Sequence, residues 1–200
     1  FVYVRRIEKN DLSARLFLVM MKLCITNLIL TFSLGGISSI LLACLCIVVL
    51  KKQKKYIVLS MSIAIFVVLL VLLYWRYQSS STSLNPTLSY TQRLLYYKEA
   101  LSMITRQPWQ GIGIGNFEGK LSLFVHNSYL QIWIEMGFVG FVAFISLVGI
   151  IMQKGAQRIN AQSGLFCAFL VFVIDNLLNF TFFLPETSWI WWIVVGCMVG

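Results

Sequence analysis

The sequence predicts an all-α fold: a polytopic transmembrane helical bundle of about five full spans plus a truncated last one, with a large outer loop carrying short helices. Three observations predict it. Hydrophobic residues make up 59% of the chain, above the usual soluble domain, and mean hydropathy is strongly positive. Several apolar runs approach the roughly 20 residues that cross a bilayer as a helix. Basic residues gather in short loops at alternate ends of those runs, as they do on the cytoplasmic side of membrane proteins.

The elements follow in order along the sequence. The first span is expected from about Leu16 to Ser33, behind Arg5, Arg6, Lys9 and Arg15, with Lys22 snorkelling to the headgroups. Ser33-Leu34-Gly35-Gly36 reads as a tight outer turn. A second span, about Ile37 to Leu50, returns to Lys51, Lys52, Lys54 and Lys55. The third, Tyr56 to Trp75, is an unbroken apolar run closed by an interfacial Tyr74-Trp75 pair. From Arg76 to about Glu135 the chain lies on the side opposite the lysines. A serine-rich lead-in precedes Asn85, read as an N-cap, and Pro86, read as the first helical residue. That helix runs to about Arg106 and is stopped by Pro108. A glycine-rich turn over 111–117 follows, and a second helix is expected to begin near His126.

The next span is expected from about Met136 to Met152, ending at Lys154 and Arg158. Another runs from about Gly164 to Leu184 and carries Asp175, Asn176 and Asn179. Pro185-Glu186-Thr187 reads as an outer turn, and Trp189 opens a short final span. The chain thus divides into 1–75, the first three spans with a basic N-terminal segment; 76–135, an outer loop bearing the chemistry; and 136–200, the C-terminal spans. It opens at Phe1 without a cleavable signal pattern and reads as the C-terminal part of a longer membrane protein.

A net charge of +9 invites a nucleic-acid partner, but the positions of the basic residues exclude it: they mark topology. The cysteines, Cys24, Cys44, Cys46, Cys167 and Cys197, all fall inside apolar runs with no metal-ligand spacing, so no metal is expected. His126 is the single histidine, and histidine is the side chain whose ordinary pKa lies nearest neutrality. At a helix start above the membrane it could take a proton from a hydroxyl; the competing reading is a hydrogen-bonded interfacial residue. Arg93 and Arg106 carry planar forks suited to phosphate, or else solvate an interfacial helix. Gly111, Gly113 and Gly115 do not have nucleotide-loop spacing; they suit a tight turn that exposes N–H groups to an anion. Asp175, an acid within a span, is either functional or paired with a neighbouring helix.

Thr91-Gln92-Arg93, Tyr97-Lys98-Glu99-Ala100-Leu101-Ser102-Met103-Ile104 and Pro108-Trp109-Gln110-Gly111-Ile112-Gly113-Ile114-Gly115-Asn116-Phe117 come first. His126-Asn127-Ser128-Tyr129-Leu130-Gln131-Ile132-Trp133-Ile134-Glu135-Met136-Gly137 follows. In this order, in one outer loop, they resemble the O-antigen ligase and O-antigen polymerase family of bacterial membrane glycosyltransferases. With the flanking spans, the resemblance covers about Thr31 to Leu184. It implies a GT-C-like membrane enzyme of the cytoplasmic (inner) membrane that works in surface-polysaccharide assembly. Its reaction would move a glycan from an undecaprenyl-pyrophosphate carrier to a glycan or lipid-core hydroxyl on the outer face, with neither nucleotide, metal nor other cofactor. Carried onto this chain, Arg93 matches the arginine that contacts the donor pyrophosphate. His126 matches the histidine proposed to activate the acceptor hydroxyl or to position the reacting groups, with Asn116, Asn127 and the three glycines in support. One departure is Leu34, where the family commonly has an arginine facing the donor. Arg76 or Arg106 then supplies that charge, the donor is held differently, or activity is lost. The alternatives are an inorganic-carbon-like transporter, which needs polar groups at mid-depth in the membrane, and an inactive scaffold.

Overall fold

The computed structural model of the chain describes residues 12–30, 33–78, 86–119, 122 and 124–200, and of 12–15, 17, 29, 75–77 and 86–90 the backbone alone. Among the described residues the regular structure is all helical. The helices are α1 (Leu12–Leu30), α2 (Leu34–Leu50), α3 (Lys55–Gln78), α4 (Pro86–Arg106), α5 (Ser128–Gln157), α6 (Ile159–Asp175) and α7 (Pro185–Val199), with a 3-10 turn at Thr181–Phe183.

Two hydrophobic cores organise the chain. The larger joins α2, α5, α6 and α7 through Ala43, Val148, Ile151, Phe166, Phe169, Trp191 and Met198. Trp191 is wholly buried, stacked on Phe169 and edge-on to Phe182. The smaller core packs α4 on the first turns of α5 through Ala100, Ile104, Phe117, Val125 and Ile134. α5 therefore runs through both.

Among the described residues two helices are long and apolar enough to cross a membrane, α3 over Lys55–Tyr74 and α5 over Ser128–Gln157. The face α3 shows to its surroundings includes Leu59, Ile63, Phe66, Leu70 and Leu73, all exposed, a surface suited to lipid rather than water. α2 and α6 are apolar but only 17 residues each, about 26 Å long.

The helix boundaries depart from the sequence expectation in several places, among them Pro185-Glu186-Thr187, which form the first turn of α7 rather than an outer turn, and the start of α6, which lies at Ile159 rather than near Gly164. Ser33 is the N-cap of α2, its hydroxyl accepting the Gly36 N–H at 3.2 Å, so Leu34, Gly35 and Gly36 form a helical first turn rather than a reverse turn. The helix expected near His126 and the span expected from Met136 are one element, α5, kinked at Gly137 (φ 69°, ψ −176°). α6 stops at Asp175, so Asn176 and Asn179 lie beyond its end rather than within a span. By contrast, α4 has the expected bounds, Pro86 to Arg106; its expected cap, Asn85, lies outside the described residues.

The α5 kink is braced by the glycine turn. Phe138 donates its N–H to the Pro108 carbonyl at 2.9 Å, and the Ile134 and Glu135 carbonyls accept from Ile112 (2.8 Å) and Gly113 (3.0 Å). A bend that strips a helix of its own bonds is stable only when other groups replace them. Here the 108–113 segment does so.

Candidate active site

The site is built where α4, the segment 124–128 and the segment after α6 converge. Asn127 caps α5, its side-chain oxygen accepting the N–H groups of Tyr129 (3.0 Å) and Leu130 (3.1 Å). The Ser128 N–H, an orphan of the helix start, donates to the carbonyls of Asn176 (3.0 Å) and Asn179 (3.1 Å). The Ser128 hydroxyl donates to the Asn176 side-chain oxygen. That oxygen also accepts the Phe182 N–H at 3.1 Å, while the Asn176 amide donates to Phe172 O at 2.8 Å. Asn176 and Ser128 are both fully buried. Asn176→Leu strands several of these partners, and the expected result is a loss of about 2 kcal/mol of stability, read as a lowered thermal unfolding midpoint in detergent. An unchanged midpoint removes the clasp from the account.

His126 lies one residue ahead of the cap, with φ of 57°, so it precedes the helix rather than opening it. Left-handed backbone is uncommon outside glycine and concentrates at functional sites. The imidazole is half-buried. It stacks on Tyr96 (centroids 5.4 Å apart, 23° between planes) and meets the edge of Phe180 at 4.9 Å. Phe180 is in turn stacked on Phe124 at 4.4 Å. Burial first, and the Arg93 guanidinium second, hold the His126 pKa below its ordinary 6.5. The ring is therefore neutral at pH 7, the form that can accept a proton.

Arg93 reaches across from α4 and donates to the Leu178 carbonyl at 2.9 Å, one of the five N–H donors of a guanidinium. Asn127 donates to Leu177 O at 3.0 Å, so both expected site residues are tied to the same turn after α6. Asp175 begins that turn; its carboxylate accepts from the Asn179 amide at 2.8 Å and feels the Arg93 charge. The first turn of α2 abuts the same place: a Cβ on Gly35 would lie 3.2 Å from the Asn179 amide nitrogen. Leu34 is thus next to the site.

Not every expected residue comes together. Arg106 is exposed at the far end of α4, about 20 Å along the helix axis from Arg93. Arg76 lies in α3, and its side chain is outside the described residues. The glycine turn holds no free row of N–H groups for a ligand. Those of Gly111, Ile112, Gly113 and Asn116 donate to protein carbonyls, and Gly115 donates to the Glu135 carboxylate at 3.1 Å. The anion expected at this turn is a side chain of the protein itself. Asn116 closes the turn from within, its amide donating to Ile112 O at 3.0 Å.

Sequence reasoning gave no role to Tyr96 and Phe180, the rings that clamp His126, and did not pair Gln131 with Glu135, which are 1% and 4% exposed. The last pair was readable: residues four apart on a helix share a face. The rings and Asn176 had no local signal.

A family model described as O-antigen ligase matches residues 19–145. The match takes in α2, α3, α4, the glycine turn and the His126 segment. Comparison with curated proteins and with solved structures finds no match. The family model spans more than half of the 200 residues and includes the arginine and histidine that converge here, so this chain belongs to the O-antigen ligase family of membrane proteins, which act on lipid-linked glycans in polysaccharide assembly.

Proposed function

We propose that this chain transfers a glycan from an undecaprenyl-pyrophosphate carrier to a hydroxyl of a growing glycan or a lipid core. The observation that carries the reading is the convergence of Arg93 and a neutral, clamped His126 on one turn. In the reaction, the acceptor oxygen attacks the anomeric carbon of the donor and the bond from that carbon to the pyrophosphate oxygen breaks. His126 takes the acceptor proton, and undecaprenyl pyrophosphate leaves with the bonding electrons. A single displacement of this kind inverts the anomeric centre. The leaving group departs easily when its charge is held, which is the part assigned to the Arg93 fork.

The topology proposed with it places this loop on the outer face of the bacterial inner membrane. Lys51, Lys52, Lys54, Lys55, Lys154 and Arg158 share the other end of the bundle, the cytoplasmic one. Past the kink, the 20 residues from Phe138 to Gln157 extend about 30 Å, the thickness of the hydrocarbon core. α3 crosses in the opposite direction, and α1, α2, α6 and α7 complete a multi-pass bundle. The transport alternative needs polar groups at mid-depth; Asp175 ends α6, and Asn176 and Asn179 lie just past it, bonded to Ser128 and to Asp175, which favours the transferase reading.

The test is an assay with a purified undecaprenyl-pyrophosphate-linked glycan and the full-length protein in lipid. Arg93→Gln is expected to raise the donor KM by about 10- to 100-fold. It is also expected to move the acid limb of kcat/KM upward, because one of the influences depressing the His126 pKa is gone. A folded variant with native donor KM removes Arg93 from donor binding.

A further inference from the structure

We infer that Glu135 and Gln131 form a positioning relay that holds the His126 segment in its left-handed conformation, an inference that rests on the transferase reading of this site. The relay is one unbroken chain of hydrogen bonds. The Val125 N–H donates to Gln131 Oε1 at 2.9 Å. Gln131 Nε2 donates to Glu135 Oε1 at 2.6 Å, and the Gly115 N–H donates to Glu135 Oε2 at 3.1 Å. Both ends are backbone donors pointing inward. The two side chains must therefore offer three acceptor oxygens and a single donor between them, which one amide and one carboxylate supply.

The relay ends one residue from His126. Val125 is fully buried, and on the other side Asn127 is fixed by the α5 cap and by Leu177 O. His126 is held between two anchors, and Tyr97 donates to its carbonyl at 3.5 Å. A non-glycine residue at φ 57° costs about 1–3 kcal/mol and persists only where its surroundings impose it. With the Val125 anchor released, the segment relaxes and the imidazole leaves Tyr96, Phe180 and Arg93. Glu135 acts through this backbone and touches no substrate.

The charged and titratable groups around the imidazole are Arg93, Tyr96 and Tyr97 from α4 and, through Arg93, Asp175 at the end of α6. They set the sign of the test. In Glu135→Gln an N–H must face an N–H somewhere in the relay, whichever way the two amides turn. If Glu135 acted only by its charge, removing a negative charge would lower the His126 pKa further. If it acts by position, loss of burial and distance from Arg93 raise that pKa toward its ordinary value.

The experiment is NMR titration of ring-labelled histidine in the full-length protein in lipid nanodiscs, with the His126 signal assigned by its loss in His126→Asn. The expected result is an upward pKa shift in Glu135→Gln, together with glycan transfer lowered about 100-fold. The double variant Glu135→Gln with Gln131→Glu keeps three acceptors and one donor, so it should recover folding and most of the transfer rate. A His126 pKa that stays or falls in Glu135→Gln overturns the relay, and so does a double variant no better than the single one. Should the single variant not fold, the double variant decides: folding with transfer supports the relay, and failure to fold overturns it. The titration needs no substrate. A native protein without transferase activity would sink the functional reading and leave the titration to judge the relay alone.

Discussion

Replacing His126 with asparagine is expected to abolish most glycan transfer, by about 10²- to 10⁴-fold, equivalent to about 3–5 kcal/mol of transition-state stabilisation. Asparagine is the right probe because it tolerates the left-handed backbone that His126 occupies. An alanine there adds backbone strain to the chemical loss, and the two effects would be confounded. The imidazole is stacked on Tyr96, edge-on to Phe180 and held neutral by burial and by Arg93, so the substitution removes a proton acceptor already in its working form. Donor KM should change little, since donor binding is assigned to Arg93. The pH dependence has a definite sign. With its folded pKa below 6.5, His126 resists protonation in the native state, so both activity and its contribution to stability are complete above that value. Stability falls as the pH drops from 6.5 to the folded pKa, and activity is expected to fall only through the folded pKa. Native-like transfer by the folded asparagine variant, at any pH, would falsify the catalytic role.

Gly137→Ala is the substitution expected to damage the fold most. Gly137 has φ of 69° and ψ of −176°, a region open to glycine and strained for any residue with a Cβ. The added carbon would also overlap the Trp109 carbonyl, a backbone group that cannot swing aside. Strain and overpacking together predict a loss of about 3 kcal/mol or more. The lesion has a direction: the 108–113 segment is pushed off α5, and its bonds to the Ile134 and Glu135 carbonyls are lost. Gly149→Ala is the control. It lies in the same helix, nothing lies within 4 Å of its added Cβ, and alanine there should be neutral or favourable by about 0.5–1 kcal/mol. Thermal unfolding in detergent reads both. Equal midpoints for the two variants would mean that the crossing at Gly137 does not hold the loop.

These two sites differ in how far the sequence exposed them. His126 stood out as the single histidine in a polar interruption, and the resemblance gave it a role. Its backbone conformation, its aromatic clamp and its place outside the helix had no local signature. The Gly137 kink had no local signature of its own: the bonds that permit the bend come from Pro108, Ile112 and Gly113, not from neighbours in sequence. The end of α6 shows the same limit. Asn176 and Asn179 sit in a stretch apolar enough to read as a continuing span. The chain leaves the helix there because Ser128, 48 residues away, takes the Asn176 side chain. The bounds of α4 were legible for the opposite reason, since proline at its first position and proline just past its end act on the backbone locally.

By itself the sequence determined that the chain is helical and apolar, which turn is lysine-rich and where α4 starts and stops, because propensity, periodicity and charge act over a few residues. It also placed Arg93 and His126 in one loop. Only the tertiary structure decided that they converge on the segment after α6 and that Arg106 does not join them. It also decided that the glycine turn binds the Glu135 carboxylate in place of a ligand. The physical reason lies in the separation of the partners. Arg93 is fixed by a carbonyl 85 residues away and Asn127 by one 50 residues away, and hydrogen bonds of that span exist only once the helices have packed.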